Sequence, residues 1–240
     1  MIKSLKEKIL KTNKKIILTT HMSPDGDAVG SEIALAHVLK KLGKDVSIIN
    51  QDAIPHQFKF LEKYFDSYAI ENITNKEEVL VFLIDVDTID KVGDSIKTFL
   101  TTEISSEIII IDHHNPEILN KDYQYIVDDK ASSTGEIMYG LIKNELKMDI
   151  NKQIAEAIYA AIVSDTRSFR YSKTTSTAHR IAAELMDSGI DHEDIQTKIF
   201  GSNTPGQLWL LGYALSNIKI SDNKKIASTI LPLSELKKFN

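Results

Sequence analysis

KIILTTHMSPDGDAVGS, residues 15–31, decides the fold. Its first six residues (KIILTT, 15–20) are apolar and β-branched, which suits a strand buried on both faces. A turn-rich segment follows. From Ser31 to Leu42 the apolar residues Leu35, Val38, Leu39 and Leu42 recur at helical spacing, and Gly43 closes the run. Working outward, residues 45–50 (DVSIIN), 79–86 (VLVFLIDV) and 107–112 (EIIIID) read as further strands. Continuous apolar strands separated by helices imply a mostly parallel sheet covered by helices on both faces. The expected fold class is therefore α/β.

From Ser132 the pattern becomes mostly helical. SSTGEIMYGLIKNEL opens on hydroxyl residues and carries Glu136 two positions after Thr134, a helix start. Residues 154–163, 176–188 and 191–200 read as three more helices. SNTPG at 202–206 is loop-like and marks the expected domain boundary, giving domains 1–201 and 202–240. Beyond it, residues 207–217 read as a helix and 226–231 as a strand, too few elements for an independent core. The second domain is expected to be a partial α/β domain.

Composition narrows the function classes. The 240 residues are 42% hydrophobic and carry a formal net charge of -5, with a pI near 5.8. That charge balance excludes a strongly basic surface that coats nucleic acid. With no cysteine, disulfides, thiolate metal sites and cysteine nucleophiles are all excluded. Any metal must sit on His, Asp, Glu or backbone oxygen, which favours Mn²⁺, Mg²⁺ or Zn²⁺. The N-terminus has no apolar core of signal-peptide length, and no window approaches 18 apolar residues. A cytoplasmic location and no membrane contact are the expectations.

The chemistry-bearing residues stand where the strands end. His21, Asp25 and Asp27 follow the first strand, Asp85 and Asp87 the third, and Asp112, His113, His114 and Asn115 the fourth. Ligands in open α/β sheets gather beyond the carboxyl ends of the strands, so these clusters converge on one edge. Ser164-Asp165-Thr166 follows the helix at 154–163. Crowded carboxylates repel and are costly to desolvate, and divalent cations remove that cost. Imidazoles beside carboxylates suit Mn²⁺ or Zn²⁺ better than Ca²⁺. Two such ions can clamp an in-line phosphoryl displacement, with one carboxylate shared between them, and Asp85 is the candidate. Any one cluster alone reads more simply as a turn, and Asp87 and Asp90 are expected as turn or capping residues. The coincidence of four clusters is what outweighs that reading.

Taken together, HMSPDGDAVGS, the DVD at Asp85, the DHHN at Asp112 and SDTRSFRYSKTTSTAH (164–179) resemble the DHH phosphoesterase superfamily. Within it the chain looks like the bacterial nanoRNase / PAP-phosphatase group, which carries a DHH domain and a DHHA1 domain. The resemblance covers about residues 1–200 and weakens after them. It implies two Mn²⁺ ions, with Mg²⁺ or another divalent ion as the alternative. His21, Asp25 and Asp85 would hold one, and Asp27, Asp85, His113 and Asp165 the other. It makes Asp112 a residue that orients an imidazole, and it turns His114 towards the substrate. Ser133 and Thr134 could offer donors to phosphate, or simply cap a helix. Arg167 stands where relatives often have glycine, and could contact phosphate or lie in solvent.

The implied activity is metal-dependent hydrolysis of short oligonucleotides, linear dinucleotides or 3'-phosphoadenosine 5'-phosphate. Alternatives are soluble cyclic di-AMP hydrolysis, and nucleotide binding with little turnover. Relatives end in a glycine-rich substrate-gripping loop, whereas none of the 10 glycines here neighbours another. Residues 205–240 resemble only the opening of that domain. A homodimer is possible on the same resemblance.

Overall fold

The computed structural model describes residues 2–65, 78–104 and 106–238. In chain order, α1 is Ile2–Lys11, β1 Lys15–Thr19, α2 Gly26–Lys41 and β2 Val46–Ile48. A 3-10 helix at His56–Tyr64 follows, then β3 Val79–Ile84, α3 Asp94–Thr98, β4 Ser106–Asp112 and β5 Gln124–Val127. The remaining elements of the first unit are α4 Thr134–Tyr139, α5 Lys152–Asp165, α6 Ser176–Asp187 and α7 His192–Gln196.

The five strands form one sheet in the order β2-β1-β3-β4-β5, and every pair is parallel. β3 is central, and all six of its residues are buried. On one face Val81 and Leu83 join Ile17, Ile108 and Ile110 in a core closed by Ile96, Phe99 and Leu100. Each such side chain stabilises the fold by roughly 1.5–3 kcal/mol on burial. Sheet order reverses direction between β1 and β3, which opens a crevice at their carboxyl ends.

α2 and α5 pack closely, because small residues meet between them. A Cβ on Gly30 would lie 2.3 Å from the Ala157 carbonyl oxygen, and one on Gly135 would lie 2.5 Å from the Ala161 Cβ. The close approach brings the N-termini of α2 and α4 and the C-terminus of α5 to the same edge as the ends of β1, β3 and β4.

The chain divides into two compact units, Met1–Ile199 and Phe200–Asn240. The second holds α8 Pro205–Ser216, a two-stranded antiparallel sheet of β6 Lys219–Ile220 and β7 Ala227–Ser228, and α9 Leu233–Leu236. α8 starts on a capping box between Thr204 and Gln207 with Pro205 in its first turn. None of its side chains is buried.

Sequence and structure differ at identifiable places. α2 begins at Gly26, not Ser31, because the Asp25 carboxylate accepts from the Asp27 and Ala28 amides and caps the helix early. The strand expected over 226–231 shrinks to Ala227–Ser228. α1, α3, β5 and the 3-10 helix carry no expectation from the sequence. Among the described residues, no helix is long and apolar enough to cross a membrane.

Candidate metal centre

Backbone geometry delivers each acidic or imidazole group. β1 ends at Thr19, and two residues later His21 turns its Nδ1 to the Met22 carbonyl at 2.8 Å. That contact requires a proton on Nδ1 and leaves Nε2 as the donor atom. Asp25 caps α2 with Oδ1, 2.9 Å from the Asp27 amide and 3.2 Å from that of Ala28. Asp85 follows β3 with φ 55, a left-handed backbone that aspartate tolerates better than most residues. Such a residue costs of order 1–3 kcal/mol and persists where its surroundings fix it. Here its amide donates to the Ile111 carbonyl at 2.9 Å, and its Oδ1 accepts from Thr134 Oγ1 at 2.9 Å.

Asp27 is fully buried. Two amides at the N-terminus of α4, Thr134 and Gly135, donate to its two oxygens at 2.7 and 2.8 Å. A helix N-terminus favours an anion there. Burial nevertheless raises the Asp27 pKa well above the carboxylate range, and Asp85, Asp165 and Asp25 raise it further. Burial, then Asp25 and Asp112, push Asp85 up to about 8. Burial and Asp25 also raise Asp165, the last residue of α5. Burial chiefly pulls His113 down to about 4.

These groups face one another. His113 Nε2 lies 3.6 Å from Asp27 Oδ2, 3.7 Å from Asp85 Oδ1 and 3.6 Å from Asp165 Oδ2. Among the described residues this buried nitrogen has no hydrogen-bond partner, and neither does Asp112 Oδ2. The separations exceed hydrogen-bond length. They approach the roughly 3.0–3.4 Å between donor atoms that share a cation at ~2.1 Å. Three donor groups lie within 4.8 Å internally: His21, Asp25 and Asp85; Asp27, His113 and Asp165; and Asp85, Asp112, His113 and His114. Hard oxygen donors, imidazoles and an orphaned buried nitrogen together fit divalent cations.

Asp112 Oδ1 accepts from the His114 amide at 3.0 Å and sits 2.9 Å from His114 Nδ1. That hydrogen bond raises the His114 pKa. His114 is about half exposed and, with His21, Asp25, Asp85 and Asp165, lines a cavity of about 640 Å³. Asp87 and Asp90 line it too, held by Lys91 at 2.8 Å and Lys97 at 2.6 Å.

Ser133 and Thr134 do not fit the role of phosphate contacts. Both are fully buried. Ser133 caps α4 through the Glu136 amide, and Thr134 commits its hydroxyl and amide to Asp85 and Asp27. Thr134 thereby organises two carboxylates. Arg167 is exposed and opens a run of three left-handed residues, Arg167, Ser168 and Phe169, with φ 50, 57 and 63. Sequence reasoning missed the groups behind the site: Thr20, Glu32 and Asn50. Glu32 left a signal, a charge within the apolar helical run SEIALAHVL.

A family model, "DHH family, N-terminal domain", matches residues 15–162, and that span contains every acidic and imidazole group above except Asp165. The chain belongs to the DHH family. Relatives of this DHH chain include "Bifunctional oligoribonuclease and PAP phosphatase NrnA" of Thermus thermophilus, 29% identical over 90% of the chain and 63% of the relative. The "Probable bifunctional oligoribonuclease and PAP phosphatase NrnA" of Streptococcus mutans is 30% identical over 96% and 70%. The nanoRNase-like branch is thus where the chain falls, and it spans about two thirds of the length of these relatives. An exopolyphosphatase-related protein from Bacteroides fragilis superimposes with a TM-score of 0.86 at 28% identity, covering 99% of this chain and 71% of that one.

Proposed function

We propose that this DHH chain carries the catalytic centre of a two-metal phosphoesterase acting on short oligonucleotides, linear dinucleotides or 3'-phosphoadenosine 5'-phosphate. The observation that carries the reading is the position of Asp85. It belongs to the donor group of His21 and Asp25, and its Oδ1 also lies 3.7 Å from His113, a member of the group with Asp27 and Asp165. One carboxylate between two donor sets suits a pair of ions that clamp an in-line displacement at phosphorus. His21, Asp25 and Asp85 would hold one ion, and Asp27, Asp85, His113 and Asp165 the other. Mn²⁺ suits this mixed imidazole and carboxylate set, and Mg²⁺ is the next candidate. Bound ions would supply Lewis acidity towards phosphoryl oxygens and an activated water.

The chain's own residues do the rest. Asp112 fixes the His114 ring by its Nδ1, so the outer nitrogen stays available in the cavity. With its proton affinity raised by that bond, His114 gives a proton to the leaving ester oxygen. Thr134 and Gly135 hold Asp27 and Asp85 in place. Arg167, exposed two residues beyond Asp165, offers a cation to the substrate phosphate. The names of the relatives support the substrate class, and the acidic balance of the chain disfavours long nucleic acid.

The test is direct. The purified chain is incubated with Mn²⁺ and a linear dinucleotide, and mononucleotide release is measured. Release that disappears in Asp85→Ala is the expected result. A wild-type chain that binds the dinucleotide but releases nothing at high enzyme concentration is a binding module instead.

A further inference from the structure

The main-chain ladder between β1 and β2 stops at Leu18 and Ile48, and that between β1 and β3 stops at Thr19 and Leu83. His21 and Asp85 lie just beyond these limits. Side chains take over there. Asn50 Oδ1 accepts from the Thr20 amide at 3.1 Å and from Thr19 Oγ1 at 3.2 Å. Thr20 Oγ1 donates to the Ile84 carbonyl at 2.6 Å, one residue before Asp85. Asn50 Nδ2 donates to Glu32 Oε2 at 2.8 Å, and Glu32 sits on α2, whose N-terminus carries Asp25. One chain of hydrogen bonds therefore ties together the three elements that present His21, Asp25 and Asp85.

We infer that Glu32 and Asn50 are positioning residues for the His21–Asp25–Asp85 metal group, with Glu32 fixing which way the Asn50 amide faces. The inference rests on the proposed metal binding. A flipped Asn50 amide would set its NH₂ against the Thr20 amide, donor against donor, and would release the end of β1. The Glu32 acceptor makes that flip unfavourable.

A purely structural role explains Glu32 poorly. The residue is 2% exposed, and its Oε1 has no hydrogen-bond partner among the described residues. A buried carboxyl left half satisfied is costly, and an apolar side chain of similar size would serve stability better. The other donor group, Asp27, His113 and Asp165, rests on different supports, the Thr134 and Gly135 amides. Asp85 is common to both positions, but His21 and Asp25 belong to one alone, so the two should respond unequally.

The experiment titrates the full chain with Mn²⁺ and reads free ion by electron paramagnetic resonance. Glu32→Gln keeps the acceptor and is expected to bind both ions within about twofold of wild type. Asn50→Ala and Glu32→Leu are expected to weaken one Mn²⁺ by about tenfold or more, the scale of lost outer contacts to metal ligands, and to leave the other within about threefold. Glu32→Leu removes a buried carboxyl, so it remains readable if Asn50→Ala does not fold. Asn151→Ala removes the cap at the far end of α5 and serves as the control for general destabilisation. Unchanged affinities in Asn50→Ala and Glu32→Leu overturn the inference, as does equal weakening of both ions. Glu32→Gln behaving like Glu32→Leu overturns the role given to amide orientation. A wild type that binds no Mn²⁺ fails earlier and removes the metal reading itself.

Discussion

At the scale of single residues, Thr134 and His114 separate holding from reacting. Thr134→Val removes the hydroxyl that donates to buried Asp85 but keeps the side-chain shape. A buried acceptor that loses its donor costs about 1–3 kcal/mol, so the metal-free protein should melt at lower temperature. Mn²⁺ affinity should also fall about tenfold, as when an outer contact to a ligand is lost. Calorimetric titration of Mn²⁺ into the variant checks this, and wild-type affinity would argue against the contact. His114→Ala should behave differently: turnover falls by 10²–10⁴-fold, the usual share of a general acid, while the ions stay bound. A folded variant that loses metal would make His114 a ligand. The residues of the site were legible because acidic and imidazole groups collect at strand ends, where charge has no packing role. Glu32, Asn50 and Thr20 were not, because their contacts cross 18 to 64 positions. No local pattern records such a pairing.

At the scale of elements, the centre depends on how closely three helices approach. A Cβ on Gly30 would meet the Ala157 carbonyl oxygen at 2.3 Å and the Ala161 Cβ at 3.0 Å. Gly30→Ala should therefore destabilise by about 1–3 kcal/mol despite alanine's better helix propensity, because it forces α2 from α5. Thermal unfolding in EDTA measures the loss, and an unchanged or higher Tm would deny the close packing. β1, β3 and β4 could be read nearly to their ends, since strands buried on both faces become unbroken apolar runs. β5 escaped notice because QYIV is four residues long, largely half-buried and set among polar neighbours. The start of α2 differs from its expected position because Asp25 serves twice, as a cap and as a carboxylate grouped with His21 and Asp85, and the apolar repeat shows neither.

For the molecule as a whole, the buried carboxyls make stability depend on pH. Asp85 and Glu32 are each pushed up to about 8, and Asp27 and Asp165 are raised as well, in every case chiefly by burial. Below pH 6.5 His113, pulled down to about 4, acts in the opposite sense, because folding holds it neutral. Above pH 6.5 the carboxyls and His114, which its hydrogen bond to Asp112 raises, act in one sense. The folded metal-free chain then holds more protons than the unfolded chain, so its stability falls as pH rises from 6.5 through 8. Mn²⁺ bound by Asp27, Asp85 and Asp165 would replace their protons and should flatten the decline. Melting curves across that range, in EDTA and in saturating Mn²⁺, check the sign, and a metal-free Tm that climbs with pH would refute it.

On the proposed reading Asp85 serves two cations at once. Elemental analysis of bound Mn²⁺ in the full chain and in Asp85→Ala, both shown to be folded by circular dichroism, tests it most directly. The wild type should hold about two equivalents, and the variant should lose occupancy at both positions. A folded Asp85→Ala chain that still holds two full equivalents would contradict a shared carboxylate.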